Sequence, residues 1–178
     1  KLGIHPLPAF AITLLATTLF GASMGAMIHY LEVPPFIVTL AGMFLARGLT
    51  FLLTQDSISV SHDFYTWVRQ FYYVMPGGGR LTFNGGLMLL VFAIGIVVCH
   101  RTRFGAYVYA LGGNAQSAAL LGVPVARTTI GIYAVSSFLA GLSGVVYSLY
   151  TSSGYPLAAV GVELDTIAAV VIGGTLLS

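Results

Sequence analysis

Charge is what this sequence has least of. Of its 178 residues only 7% are charged, seven basic and five acidic, while 57% are hydrophobic. A water-soluble domain carries roughly 25% charged residues. This chain therefore cannot clothe a water-facing surface, and much of its exterior must meet membrane lipid or other protein. A mean hydropathy of +0.94 agrees. The net charge of +2 is too small to point to nucleic acid. The single cysteine, Cys99, excludes an intrachain disulfide and a CxxC metal site. The four histidines, His5, His29, His62 and His100, form no HExxH or other close metal spacing, and read as polar residues near the ends of spans. There is no GxxxxGK-Ser/Thr phosphate loop, so no nucleotide cofactor is expected on this chain. The opening KLGIHPLP has one basic residue and no small-residue cleavage site after it, unlike a signal peptide. No strand alternation, long linker, low-complexity tract or internal repeat is visible.

What is present is a series of long apolar runs. A membrane-spanning helix needs about 20 apolar residues. Residues 8–29, 36–54, 84–100 and 129–150 each qualify, and a fifth apolar segment opens at Leu164. The expected fold is therefore all-α, a polytopic transmembrane helix bundle. The chain starts at Lys1 rather than Met and stops inside the run VVIGGTLLS, so a fragment with four complete spans and a cut fifth is expected. With 22 glycines, close helix packing is expected too, since small residues let helix backbones approach in lipid. Residues 55–85 read as an extramembrane loop with a short helix near Phe64–Tyr73 and a Pro76-Gly77-Gly78-Gly79 turn. Loop 101–128 holds Arg101, Arg103 and Arg127 and no acid, loop 55–85 holds two arginines, and loop 151–163 none. Basic residues concentrate on the cytoplasmic side. This assigns 101–128 and the 30–35 turn to the cytoplasm, and Lys1, 55–85 and 151–163 to the outside.

Loop 101–128 is the most informative segment. Asn114 is a good helix N-cap, and Gly112-Gly113 before it supply a tight turn. Ala115 to Leu121 make about two helical turns, Gly122 suits the stop, and Pro124 prevents continuation. Ala115, Ala118, Ala119 and Gly122 recur at i, i+3, i+4, i+7 and form one small apolar face. Such a face can dock into a groove of another protein, or the segment can be an ordinary connecting loop. Arg47 sits in the second span, where a cation costs about 2.5–3.5 kcal/mol on insertion scales. It is expected to face the bundle interior, as an ion-pair member that fixes helix packing or as a pathway residue, or else to snorkel outward. Glu163 and Asp165 open the fifth segment, where the helix macrodipole favours carboxylates and Asp165 can cap; with Arg47 they are the candidates for a pathway site or an intramembrane ion pair. Gly173-Gly174 should weaken that helix midway. Gly141-Leu142-Ser143-Gly144 matches the G-x-S-G of intramembrane serine proteases. All four histidines precede Ser143 and none lies mid-span, so helix packing explains these small residues better.

Three segments in order resemble one family. YALGGNAQSAALLGVPVARTTIGIYAVSSFLAGLSGV resembles the coupling loop and following span of ribose- and galactofuranose-type ABC sugar permeases, at Gly112, Gly113, Asn114, Ala118, Gly122, Arg127, Ser136, Leu139, Ala140 and Gly141. Val33–Leu49 is similar to the family's "VPPFIVTL…RG", with Arg47 in the pattern. Gly161–Ser178 is similar to its "ELDAIAAVVIGGT", with Thr166 in place of the commoner alanine. The HRTRFG and PGGGRL runs are shared with the galactofuranose branch. The resemblance implies a permease subunit of the bacterial inner membrane, with more spans than are present here and no enzyme activity of its own. It implies an ABC ATPase subunit, a second permease subunit and a periplasmic sugar-binding protein as partners. The 114–122 helix would sit in a groove of the ATPase, and the fifth segment would be broken or re-entrant. A same-family permease for a branched-chain amino acid, and a secondary transporter, are the alternatives.

Overall fold

The computed structural model describes residues 6–60, 62–70, 72–74 and 80–174. Four of its helices are long and apolar enough to cross a membrane: α1 (Pro6–Tyr30), α2 (Pro35–Leu53), α4 (Phe83–Arg101) and α7 (Val125–Thr151). At 1.5 Å per residue, α1 and α7 run to about 38 and 40 Å, enough to cross hydrocarbon roughly 30 Å thick with some tilt. Hydroxyl groups on these helices need an acceptor where water is absent. Thr13, Thr18, Thr39 and Thr50 donate to the carbonyl four residues back, at 2.9, 2.6, 2.9 and 2.8 Å.

α1 and α7 form the central pair, antiparallel and packed through glycine. A Cβ at Gly21 would collide with Ser137 and the Tyr133 carbonyl, and one at Gly141 with Thr17. At Gly25 it would stand 2.8 Å from the Ile130 Cα. α2 lies on the other flank of α1, where Gly42 faces Met24 and Phe20.

One end of the bundle is closed by short elements. α3 (Asp63–Gln70) buries Tyr65 and Val68 against Leu149 of α7, with Phe10 of α1 6.1 Å from the Tyr65 ring. β1 (Ile58–Ser59) pairs antiparallel with β4 (Ser153–Gly154), Ile58 opposite Gly154, and the Val60 N–H donates to the Ser152 carbonyl at 2.9 Å. β2 (Tyr72–Val74) pairs with β3 (Arg80–Thr82). These strands, two or three residues long, are too short to show alternation in sequence. They also end the helix at Gln70 instead of Tyr73, because Tyr72, Tyr73 and Val74 suit a pleated pairing. Of the Pro76 to Gly79 turn, nothing lies within the described residues.

The other end holds the α1–α2 turn and two further helices, α5 (Arg103–Gly113) and α6 (Ala115–Leu120). Loops 54–82 and 152–161 thus share one end, and 31–34 and 102–124 the other, the same grouping that alternating spans require. The fifth apolar segment becomes α8 (Val162–Ile172), eleven residues and about 16 Å long, too short to span. It stops at Gly173, and Gly174 takes φ +92°, a left-handed conformation that glycine adopts without cost.

Candidate functional site

Two constellations stand out, one at each end of the bundle. The first is an elbow made by α5 and α6. Thr102 breaks α4 from α5: its extended backbone interrupts the helix, its hydroxyl donates to the Val98 carbonyl at 2.6 Å, and its oxygen accepts the Gly105 N–H at 3.3 Å. A Cβ at Gly105 would meet the Cys99 carbonyl, so only glycine lets α5 leave α4 this closely. Phe104 then lies on Gly131 of α7, where a Cβ would stand 2.9 Å from its ring.

Asn114 separates α5 from α6 and caps α6, its Oδ1 accepting the Ser117 N–H at 2.8 Å. α6 closes in a Schellman turn. The Val123 N–H reaches the Ala118 carbonyl and the Gly122 N–H the Ala119 carbonyl, both at 3.0 Å, with Gly122 at φ +81°. Two expectations are corrected. Gly112 and Gly113 form no tight turn; they are the last residues of α5, because Asn114 alone supplies the break. The four-residue small face is also not one open surface. Ala118 is 2% exposed, turned inward against the chain itself, while Ala115 and Ala119 are exposed. A large residue at 118 would disturb the elbow's own seat rather than a partner's groove. What projects outward is Leu120 and Leu121, 89% and 83% exposed, two large apolar side chains at the tip of the elbow that the small-residue pattern did not reveal. Arg101, Arg103 and Arg127 are exposed at the same end.

The second constellation joins Arg47 to Glu163. Arg47 Nη2 donates to Glu163 Oε1 at 3.1 Å, across 116 residues of sequence, with both side chains about 30% exposed. Glu163 Oε2 accepts the Gly161 N–H at 3.0 Å, closing the first turn of α8. Glu163 lies outside the four spans. Backbone hydrogen bonding at its own residue and the Arg47 guanidinium hold its carboxyl below the usual carboxylate range, against a smaller opposing effect of desolvation. Asp165 does not cap: Gly161 takes the N-cap position and no side chain bonds there, so Asp165 only adds negative charge to the first turn.

The comparisons with known proteins point one way. The profile of the branched-chain amino acid transport system permease component matches residues 1–178. The chain belongs to this permease family. It is 54% identical over 99% of its length to the inner-membrane ABC transporter permease YjfF of Escherichia coli K12. It is 39% identical over its whole length to the fructose import permease FruG of Bifidobacterium longum, and 36% identical over 98% to the ribose import permease RbsC of Escherichia coli K12. The permease chain spans about half of these relatives, 53%, 55% and 54% of their lengths. No solved structure matches it. Family and spans together make it a multi-pass membrane permease chain. Within the permease, the Gly112–Arg127 motif falls on the α5–α6 elbow and the start of α7, and the other two motifs meet at Arg47 and Glu163.

Proposed function

We propose that the intact protein is the membrane-spanning permease subunit of an ATP-binding-cassette importer that carries a sugar across the inner membrane. A separate ATPase subunit powers it, a second permease subunit completes the pathway, and a periplasmic binding protein delivers the cargo. The observation that carries the reading is the elbow. A helix capped at both ends exposes Leu120 and Leu121 at the end of the bundle that also carries three arginines, and the elbow ties to α7 through Phe104 on Gly131. Exposed apolar residues on such a tip fit an apolar groove in a cytoplasmic partner, and the stiff connection passes the partner's motion to the spans. Asn114 and Gly122 set the shape of this helix, Ala118 seats it, and Arg127 flanks it.

Sugar is favoured as cargo because FruG and RbsC are named for fructose and ribose. Galactofuranose is the specific cargo proposed, on the shared HRTRFG and PGGGRL runs. The family's description keeps a branched-chain amino acid as the second reading. The test reconstitutes the full-length protein with its ATPase and binding protein, and measures ATP-dependent uptake of labelled galactofuranose, ribose, fructose and leucine. Uptake of a sugar alone is expected. Uptake of leucine, or uptake without the ATPase, overturns the reading. The side assignment, with 101–128 cytoplasmic, is tested by single cysteines at Ser57 and Ser117 in a Cys99→Ser background. An impermeant thiol reagent on spheroplasts should label the first and spare the second.

A further inference from the structure

We propose that Arg47 and Glu163 form an interhelical lock that positions the broken helix α8 against α2, and that neither contacts the cargo. None of α8's residues is buried within this chain, so the contacts that fix its start here are polar. What holds its N-terminus is two hydrogen bonds and a turn. The Gly161 N–H bonds to Glu163 Oε2, Glu163 Oε1 bonds to Arg47 Nη2, and Gly161 itself turns the backbone at φ +94°. Both oxygens of the carboxylate are thereby engaged, one by charge and one by the helix it starts. Arg47 lies six residues before the end of α2, about 9 Å along the axis. A guanidinium at that depth needs a counter-charge, and Glu163 supplies it from the opposite segment. Asp165, in the same turn, is exposed and takes no part in the bond.

A second tie runs alongside. The connection after α2 is laddered to the connection before α8 through β1 and β4. α2 and α8 are thus clasped twice at the same end of the bundle, once by backbone and once by charge. The backbone ladder is two residues long and leaves α8 rotation open; the charge pair removes it. The placement of α8 is a statement about structure. The statement that the pair positions without touching cargo rests on the transport reading above.

The experiment uses the full-length protein with its native cysteines replaced. Spin labels at Leu52→Cys and Ile172→Cys report the α2–α8 distance by pulsed EPR, and uptake is measured on the same preparations. Four variants are compared: Arg47→Glu, Glu163→Arg, the double exchange, and Glu163→Gln, which keeps an acceptor for Gly161 but loses the charge. Each single variant is expected to broaden the distance distribution and lower uptake about tenfold or more. The double exchange should restore a narrow distribution, the wild-type amount of inserted protein, and most of the uptake. Narrow distributions in the single variants overturn the lock, as does a double exchange that restores nothing. A double exchange that restores the distance while uptake stays lost overturns the claim that the pair is clear of the cargo. If the wild type takes up no sugar at all, the transport reading has failed, and the distance distributions still decide the lock.

Discussion

Gly25→Ala is the sharpest test of how α1 and α7 are held together. A Cβ added there meets backbone: the Ile130 Cα at 2.8 Å, with the Thr129 carbonyl at 3.3 Å and the Tyr133 Cβ at 3.2 Å. Ordinary contact begins near 3.4 Å, so the helices must part by at least the difference, 0.6 Å. A gap of that size forfeits roughly a quarter to a half of the dispersion along the seam, and overpacking of a close site typically costs about 1–3 kcal/mol. Replacing a mid-helix glycine by alanine recovers about 0.5–1 kcal/mol of backbone entropy, so a net loss of about 1–2 kcal/mol is expected. Two further substitutions bracket it. At Gly141 the added methyl meets Thr17, whose own Cβ lies 3.1 Å away and does not move when the side chain rotates, so a loss of similar size is expected. At Gly144 nothing among the described residues lies within 4 Å, and alanine should be neutral or stabilising. Denaturant titration of the purified full-length protein in detergent reads all three. A tenfold fall in the folding constant corresponds to about 1.4 kcal/mol. If Gly25→Ala proves as stable as Gly144→Ala, the α1–α7 seam is not packed as described.

The elbow gives three more expectations. Asn114→Ala removes the cap on the Ser117 N–H and should cost α6 about 1 kcal/mol, read as faster amide exchange over residues 115–120. Gly122→Ala forces a Cβ into a left-handed conformation and should cost about 1–2 kcal/mol, with exchange rising at the Gly122 and Val123 amides that close the turn. Leu120→Glu with Leu121→Glu changes side chains that are almost wholly exposed; stability should stay level while co-purification of the proposed ATPase partner falls at least tenfold, and unchanged co-purification removes these leucines from the proposed docking surface. At the other end, the lowered Glu163 carboxyl sets the direction of a pH effect. Its contribution is fully present above the unfolded glutamate value of about 4.3 and is lost only as pH falls through the lower folded value. The stability difference between wild type and Glu163→Gln should therefore be flat from pH 7 to 5 and shrink below about 4.

The spans were legible because their signal is additive. A run of some 20 apolar residues declares itself whatever its neighbours do, and the helices begin and end within a few residues of the sequence reading. Individual caps were legible for a similar reason. Asn114 and Gly122 act through bonds that span three to five residues, so their roles follow from local chemistry alone. α5 was not legible. RFGAYVYALGG holds three glycines and reads as loop, and it becomes helix because Thr102 caps it and Phe104 docks on Gly131, a contact 27 residues away. The short strands were hidden likewise, since β1 finds its partner only once α2 and α7 bring their ends together.

The elbow shows where pattern reading fails at a site. Helical periodicity identifies which residues share a face, but not whether that face points toward a partner or toward the chain's own helices. Ala115, Ala118, Ala119 and Gly122 do follow helical spacing, yet Ala118 is consumed in seating α6 on the chain that carries it. The outward tip falls to Leu120 and Leu121, which a composition argument assigns to a core. Arg47 and Glu163 present the converse. Arg47, Glu163 and Asp165 were together candidates for an ion pair, and the structure selects Glu163, 3.1 Å from Arg47, and not Asp165. Charge inside an apolar bundle is a constraint that one residue cannot satisfy. Sequence left Arg47's partner open, and the structure supplies it as Glu163 at the start of α8.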